Sequence, residues 1–193
     1  MTDSVAATRT GKRERLVDGA RQVLHAQGVE ASTLADIAAA ADVPLGNVYY
    51  YFKTKDELVE AAIEAHAADI RAFLTSFERH RTPRARLKAF VRALVEQRDL
   101  AARSGCPHGT LCSELAKHDD DDLRDVAPQL IQIPVDWAEQ QFRELGRRDA
   151  RDLAVALIAS YQGISLLTNT FRNPTLMERE GRRLERWIDE LAG

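Results

Sequence analysis

The chain has little of what staples a small fold or breaks a helix. Two cysteines, Cys106 and Cys112, occur in 193 residues; that is too few for a disulfide framework, and no second pair completes a zinc site. Ten glycines and six prolines leave few turn signals, and no long stretch alternates apolar and polar residues as a half-buried strand would. No uninterrupted apolar run approaches the roughly 18 residues of a membrane span; the longest, 153–159, stops at Ser160. The first residues carry Asp3, Arg9, Lys12 and Arg13 without an apolar stretch, so no signal peptide is expected and the chain is read as cytoplasmic, with no membrane partner. Charge of one sign is missing too. With 27 Lys and Arg against 30 Asp and Glu, the net charge of -3 does not by itself advertise a nucleic-acid binder. A hydrophobic fraction of 45% beside 30% charged residues excludes a disordered chain.

Helical spacing runs almost throughout. Between Thr10 and Gln27, residues Leu16, Ala20, Val23, Leu24 and Gln27 share a face, and Gly28 supplies a stop. Thr33, with Asp36 three residues on, caps a two-turn second helix that buries Leu34, Ile37, Ala38 and Ala41. After a tight connection at Asp42 and Val43, Pro44 opens a third helix ending near Phe52. Thr54 and Glu57 form a capping box for a long fourth helix reaching about His80, with Val59, Ile63, His66, Ile70, Phe73 and Phe77 on one stripe. His66 there is expected to be a hydrogen-bonded buried histidine. A fifth helix runs from Pro83 to Gly105 and a sixth starts at Pro107. An irregular seventh, interrupted by Pro128 and Pro134, closes at Gly146. The acidic run 119–122 reads as solvated capping in preference to metal binding, since no loop glycine follows it. The eighth, Asp149 to about Thr170, is apolar on nearly every side, and the ninth, after Pro174, presents Leu184, Trp187, Ile188 and Leu191. The expected fold is all-α with about nine helices. A three-helix head over residues 1–53, of which 1–9 is a flexible arm, is joined by the fourth helix to a larger helical unit over 54–193.

The second helix, the tight turn and the short third helix make a helix-turn-helix, which can set its third helix in a major groove. Val48 and Phe52, four apart, pack inward; Gly46, Asn47 and Tyr50 then point outward, with Tyr49, Tyr51 and Lys53 at the flanks. Tyrosine hydroxyls suit phosphate oxygens, and Gly46 lets the backbone approach a duplex. Thr33 and Lys55 lie near helix N-termini, where phosphates are favoured. Arg9, Lys12, Arg13 and Arg15 against the single acid Glu14 are either a phosphate-facing patch or a solvated basic arm. The run Gly46-Asn47-Val48-Tyr49-Tyr50-Tyr51-Phe52-Lys53-Thr54-Lys55-Asp56-Glu57-Leu58 resembles the signature of the tetracycline-repressor (TetR/AcrR) family, and Thr33, Ile37, Ala38 and Val43 match its upstream pattern. Residues 105–109 with Glu114 and Leu115 also resemble a subgroup of that family's ligand-binding domains. The resemblance implies a homodimeric transcriptional repressor on double-stranded operator DNA, released by a small-molecule effector, with recognition helices ~34 Å apart. It implies phosphate contacts from Thr33, Tyr49, Tyr50, Tyr51 and Lys55, and groove contacts from Leu45, Gly46 and Asn47. Pro44 and Leu45 depart from the family's polar residues at these places, so Asn47 is expected to carry more of the readout, toward adenine. Leu45 either touches a thymine methyl or packs on Val48.

Two apolar faces on the eighth helix need two partners. Ala154, Ala156, Ala159 and Gly163 permit close approach, and with the ninth helix it resembles the family's four-helix dimer interface; the alternative is a central helix buried within one chain. A ligand cavity is expected among the fourth to eighth helices, lined by Phe73, Phe90, Leu94, His108, Leu111, Trp137, Gln141, Tyr161 and Ser165. It would suit a hydrophobic or aromatic effector, although the same residue types make ordinary core. Cys106 and His108 lack an orienting acid for nucleophilic chemistry, and six residues of one helix separate Cys106 from Cys112. No catalytic residue, metal or cofactor is expected. The reading from another class is a helical small-molecule-binding protein or enzyme whose head no longer binds DNA, favoured by the mild acidity and the Pro44–Leu45 pair.

Overall fold

The computed structural model describes residues 11–117 and 121–192; the expected arm over 1–9 and half of the acidic run at 119–122, with all its side chains, lie outside them. Among the described residues there are α-helices and one 3-10 turn, and no strand. The head comprises α1 (Lys12–Ala31), α2 (Leu34–Ala40) and α3 (Leu45–Tyr51). There follow α4 (Lys55–Thr75), continued by a 3-10 turn at Ser76–Arg79, α5 (Pro83–Glu96), α6 (Arg98–Ser104) and α7 (Pro107–Leu115). The chain ends with α8 (Asp121–Val126), α9 (Gln129–Glu144), α10 (Ala150–Thr170) and α11 (Thr175–Leu191). The nine expected rods are all present, two of them divided. The fifth breaks at Gln97, whose N–H turns to Leu94 O, and the seventh breaks at Pro128, which has no N–H to continue a ladder. Pro134 sits inside α9 without ending it.

One buried core runs through head and body. Helix α4 belongs to both parts: Leu58, Val59, Ala62, Ile63 and Ala67 are fully buried, and Ile70 and Leu74 nearly so. It packs on α1 toward its start and on α9 in the body, while α10 packs on α9 and α11 on α5. Thr54 caps α4 as expected, accepting from Glu57 N–H at 3.1 Å. The reciprocal half of the box goes elsewhere, because the Glu57 carboxylate accepts from Lys53 N–H at 2.7 Å.

Helix α10 corrects one expectation. Counting only unbroken apolar residues missed it, yet the helix has 21 residues and an 18-residue stretch within it reaches mean hydropathy 1.2, long and apolar enough to cross a membrane by length and composition. Its Ala154, Leu157, Ile158, Ser165 and Thr168 face the chain's own core.

The end of α1 is fastened from two sides. Gly28 takes φ 81 and ψ 174, a combination that residues with a Cβ avoid. The kink frees backbone groups that must find partners. Val29 N–H donates to the Glu114 carboxylate of α7 at 2.8 Å. Lys55 Nζ, from the first turn of α4, donates to Val29 O at 3.0 Å and Ser32 O at 3.3 Å. A Cβ on Gly28 would stand 2.8 Å from Glu114 Oε2. Gly28→Ala is therefore expected to lose ~1–3 kcal/mol of stability, read as a lower urea midpoint. Glu114→Ala, which orphans the Val29 N–H, should lose about as much (~1–3 kcal/mol), whereas Glu114→Gln keeps an acceptor and loses less. An unchanged midpoint for Gly28→Ala would contradict this account of the kink.

Candidate nucleic-acid interface and internal cavity

The helix-turn-helix is built on short-range bonds. Thr33 Oγ1 donates to Asp36 Oδ2 at 2.6 Å and accepts from Asp36 N–H at 3.1 Å, while Thr33 N–H donates to the same carboxylate at 3.0 Å. These bonds hold the Asp36 carboxyl below the usual carboxylate range. The turn after α2 passes through Asp42 at φ 51, is closed by Val43 N–H on Ala38 O at 3.0 Å, and receives Arg15 on Asp42 O at 3.2 Å. Arg13 lies over the Phe52 ring, 5.1 Å from its centroid. Two of the expected basic-patch residues thus brace the head.

On α3 the inward pair is as the spacing predicts: Val48 is fully buried and Phe52 is 3% exposed. Leu45 is 43% exposed, Tyr49 50% and Tyr50 79%, so Leu45 points outward and is not consumed by packing on Val48. A Cβ added to Gly46 would meet nothing within 4 Å. The fold does not require glycine here, and the backbone stands open to whatever approaches. Asn47 is half-buried, and so is Tyr51, whose ring meets that of Tyr50 edge-on at 5.0 Å. Lys53 Nζ donates to Tyr49 O at 2.6 Å. Lys55 Nζ donates two of its three N–H groups to the carbonyls at the kinked end of α1, partners the sequence did not show.

A cavity of about 300 Å³ opens between α1, α4, α5, α7, α9 and α10. Five expected residues line it: Phe73, Phe90, Leu94, His108 and Tyr161. Four do not. Leu111 packs into the core, and Trp137 lies behind the cavity, its ring centroid 5.3 Å from Phe90 and 5.9 Å from Phe77. Gln141 is buried and accepts from Arg86 at 3.2 Å, and Ser165 is buried one turn beyond Tyr161. Pro134 also lines the wall; its ring interrupts the ladder of α9 where the helix borders the cavity.

His66 departs from expectation. It lines the cavity with His108, ring centroids 5.2 Å apart at 78°, and has no hydrogen-bonding partner among the described residues. Burial, reinforced by the Arg21 charge, lowers both imidazoles to about 4. Arg21 of α1 and Asp69 of α4, which also line the cavity, form an ion pair. Both were missed from the sequence. Asp69 is three residues after His66 and shares its face, a signal that was available; Arg21, 48 residues earlier on another helix, gave none. Burial also raises the Tyr161 phenol far above its ordinary value, with Cys106 beside it, and raises the Cys112 thiol to about 11.

The outer face of α10 is apolar and uncovered: Val155 is 48% exposed, Leu166 65% and Phe171 64%, with Ala159 and Gly163 exposed between them. A more open groove of about 600 Å³ runs past Gly163 and Leu166 beside this face. The expected stripe of α11 is used internally, since Leu184 and Ile188 are buried and Trp187 packs on Phe142 at 5.8 Å.

The family model for bacterial regulatory proteins of the tetR family matches residues 16–62. The HTH-type transcriptional repressor DhaR of Mycobacterium sp. (strain GP1) is 32% identical over 178 residues, 86% of each chain. The HTH-type transcriptional regulator BetI of Burkholderia thailandensis is 33% identical over 96 residues, 47% of this chain and 48% of BetI. A TetR transcriptional regulator from Legionella pneumophila has the same fold, with TM-score 0.81 at 20% identity over 95% of this chain and 98% of its own. The reduced form of E. coli NemR gives TM-score 0.80 at 21% identity, covering 91% and 96%.

The two histidines make a pH dependence with a definite sign. Their folded values, about 4, lie below the ordinary 6.5, so the unfolded chain binds more protons in that interval. Stability is then present near pH 7 and falls as pH drops from about 6.5 toward 4. Unfolding midpoints at pH 7 and pH 5 should differ more for the natural chain than for a His66→Asn, His108→Asn double variant, in which the carboxylate contribution remains. Equal differences would remove the basis for neutral imidazoles.

Proposed function

The chain belongs to the tetR family of bacterial regulatory proteins, and on that premise we propose that it is a DNA-binding transcriptional repressor whose α3 enters the major groove and whose internal cavity takes the small molecule that releases it. The observation that carries the reading is the face of α3, where Leu45, Gly46, Tyr49 and Tyr50 are exposed on a helix anchored by Val48 and Phe52. In this reading the head over residues 1–53 binds DNA, and residues 54–193 bind ligand and dimerise. Leu45, Gly46 and Asn47 reach base edges, with Asn47 reading adenine. Thr33, Tyr49, Tyr50 and Tyr51 hold phosphates, and Lys55 joins them through the one ammonium N–H its two carbonyl bonds leave over. DhaR, a repressor by name and 32% identical to this chain, favours repression over activation.

Two heads are needed for two successive grooves, ~34 Å apart. The uncovered stripe of α10 supports a homodimer: one side of the helix is in its own core, and the other is apolar with small residues at its centre. That confinement to a stripe favours a second protein surface over lipid. Helix α11 flanks it with Arg179, Arg182 and Arg186 exposed.

Binding of the protein to fragments of its source genome tests the reading, and failure to retain any fragment in preference to bulk DNA would overturn it. On a retained fragment, Asn47→Ala is expected to relax discrimination at one base pair by ~1–3 kcal/mol. Tyr50→Phe should weaken all sequences alike without changing the salt slope, because a phenol releases no counterion. Leu166→Glu is expected to convert a sedimenting dimer to monomer and abolish fragment retention together; retention by the monomer would break the link between pairing and DNA.

A further inference from the structure

The polar end of the cavity is assembled from three helices: Arg21 of α1, His66 and Asp69 of α4, and His108 of α7. The remaining wall is mainly apolar, with Phe73, Phe90, Leu94, Ile158 and Tyr161. Such a division fixes a ligand by its body and orients it by one end. The donors at that end are in surplus. A guanidinium carries five N–H groups and no acceptor, and each neutral imidazole offers one N–H beside one acceptor nitrogen. Asp69 is the one anionic acceptor among these four residues, and it is already paired with Arg21. Asp18 approaches the same guanidinium at 3.6 Å from one turn earlier on α1.

We propose that the cavity receives a small aromatic or apolar molecule ending in a carboxylate or like oxyanion, that this end is held by Arg21 with His66 and His108, and that the contact draws Arg21 away from Asp69. The proposal rests on the reading of the cavity as the effector site and names the chemistry of its occupant. The local field agrees with it. At both imidazoles the positive charge of Arg21 outweighs the opposing Asp69, and His25 acts in the same direction as Arg21. An arriving cation would meet that field; an anion is drawn in by it.

The choice of Arg21 has a consequence for the head. It stands on α1, a helix of the head, while Asp69 stands on α4. An oxyanion that takes the guanidinium exchanges a bond between α1 and α4 for a bond between α1 and ligand, so occupancy and head position share one side chain. A neutral ligand filling the same apolar body has no purchase on Arg21.

Benzoate, benzyl alcohol and benzylamine share a ring and differ in the charge of the end, and calorimetric titration of the DNA-free protein with each provides the test. Benzoate is expected to bind at least about tenfold more tightly than the other two, the worth of one charge-assisted hydrogen bond. Arg21→Met should erase that preference and leave benzyl alcohol unchanged. Asp69→Asn should tighten benzoate, because the guanidinium loses its competitor; a merely structural ion pair would make both substitutions act alike. Preference for benzylamine, no preference, no heat with any probe at millimolar concentration, or weaker benzoate binding in Asp69→Asn would each overturn the proposal. Failure of the repressor reading looks different: benzoate binds with the stated preference, yet no DNA fragment is retained or released.

Discussion

Everything in this molecule depends on the burial of one continuous face of α4. Leu58, Val59, Ala62, Ile63 and Ala67 are fully sealed, and withdrawing even one such leucine, valine or isoleucine exposes apolar area worth about 1.5–3 kcal/mol. The helix therefore cannot slide independently of the head at one end or the body at the other. Cores of this density have discrete arrangements and do not deform smoothly. A change in the shape of the cavity around His66 and Phe73 has to be taken up as a displacement of α4 with what it carries.

Against that apolar seam, the polar links between head and body are of a different kind. The Arg21–Asp69 pair is partly exposed on both sides, at 26% and 62%, where an ion pair contributes about 0–1 kcal/mol. It is inexpensive to exchange. The Glu114 bond to Val29 N–H is more costly to break, because its loss strands a backbone donor. Helix α7 carries Glu114 near its end and His108 in its first turn, so a rod of nine residues touches the cavity and the end of α1 at once. Of these two links the Glu114 bond is the stronger, and the weaker Arg21–Asp69 pair lines the cavity.

How much of this was legible in the chain follows from the range of the interactions. Caps and helix faces are local: Thr33 with Asp36, Thr54 with Glu57 N–H, and the inward pair Val48 and Phe52 are all settled within four residues and were readable. The exposure of Leu45 was undecided because packing on Val48 and pointing outward are both compatible with its spacing. The cavity was half readable. Phe73 and Phe90 line it while Trp137 and Gln141 do not, yet all four are types that cores and pockets share, and the empty volume is set by how six helices meet. Lys55 was readable on its helix, but its two carbonyl partners were not, since the kink at Gly28 that creates them lies 27 residues away. Arg21 was invisible for the same reason.

Helix α10 puts the two proposed binding events on neighbouring faces of one rod. Ile158, Tyr161 and Gln162 line the cavity, while Ala159, Gly163 and Leu166 form the uncovered outer stripe. These sets interleave along the same two turns. A partner helix packed against Ala159 and Gly163 restrains the positions of Ile158 and Tyr161, and a ligand that spreads those side chains presses back on the partner. Linkage makes such an effect reciprocal: whatever a ligand does to pairing, pairing does in equal measure to ligand affinity. An effector in this cavity therefore has two routes to the DNA, through α4 to the angle of one head and through α10 to the separation of both, and it acts only to the extent that it binds one arrangement better than the other.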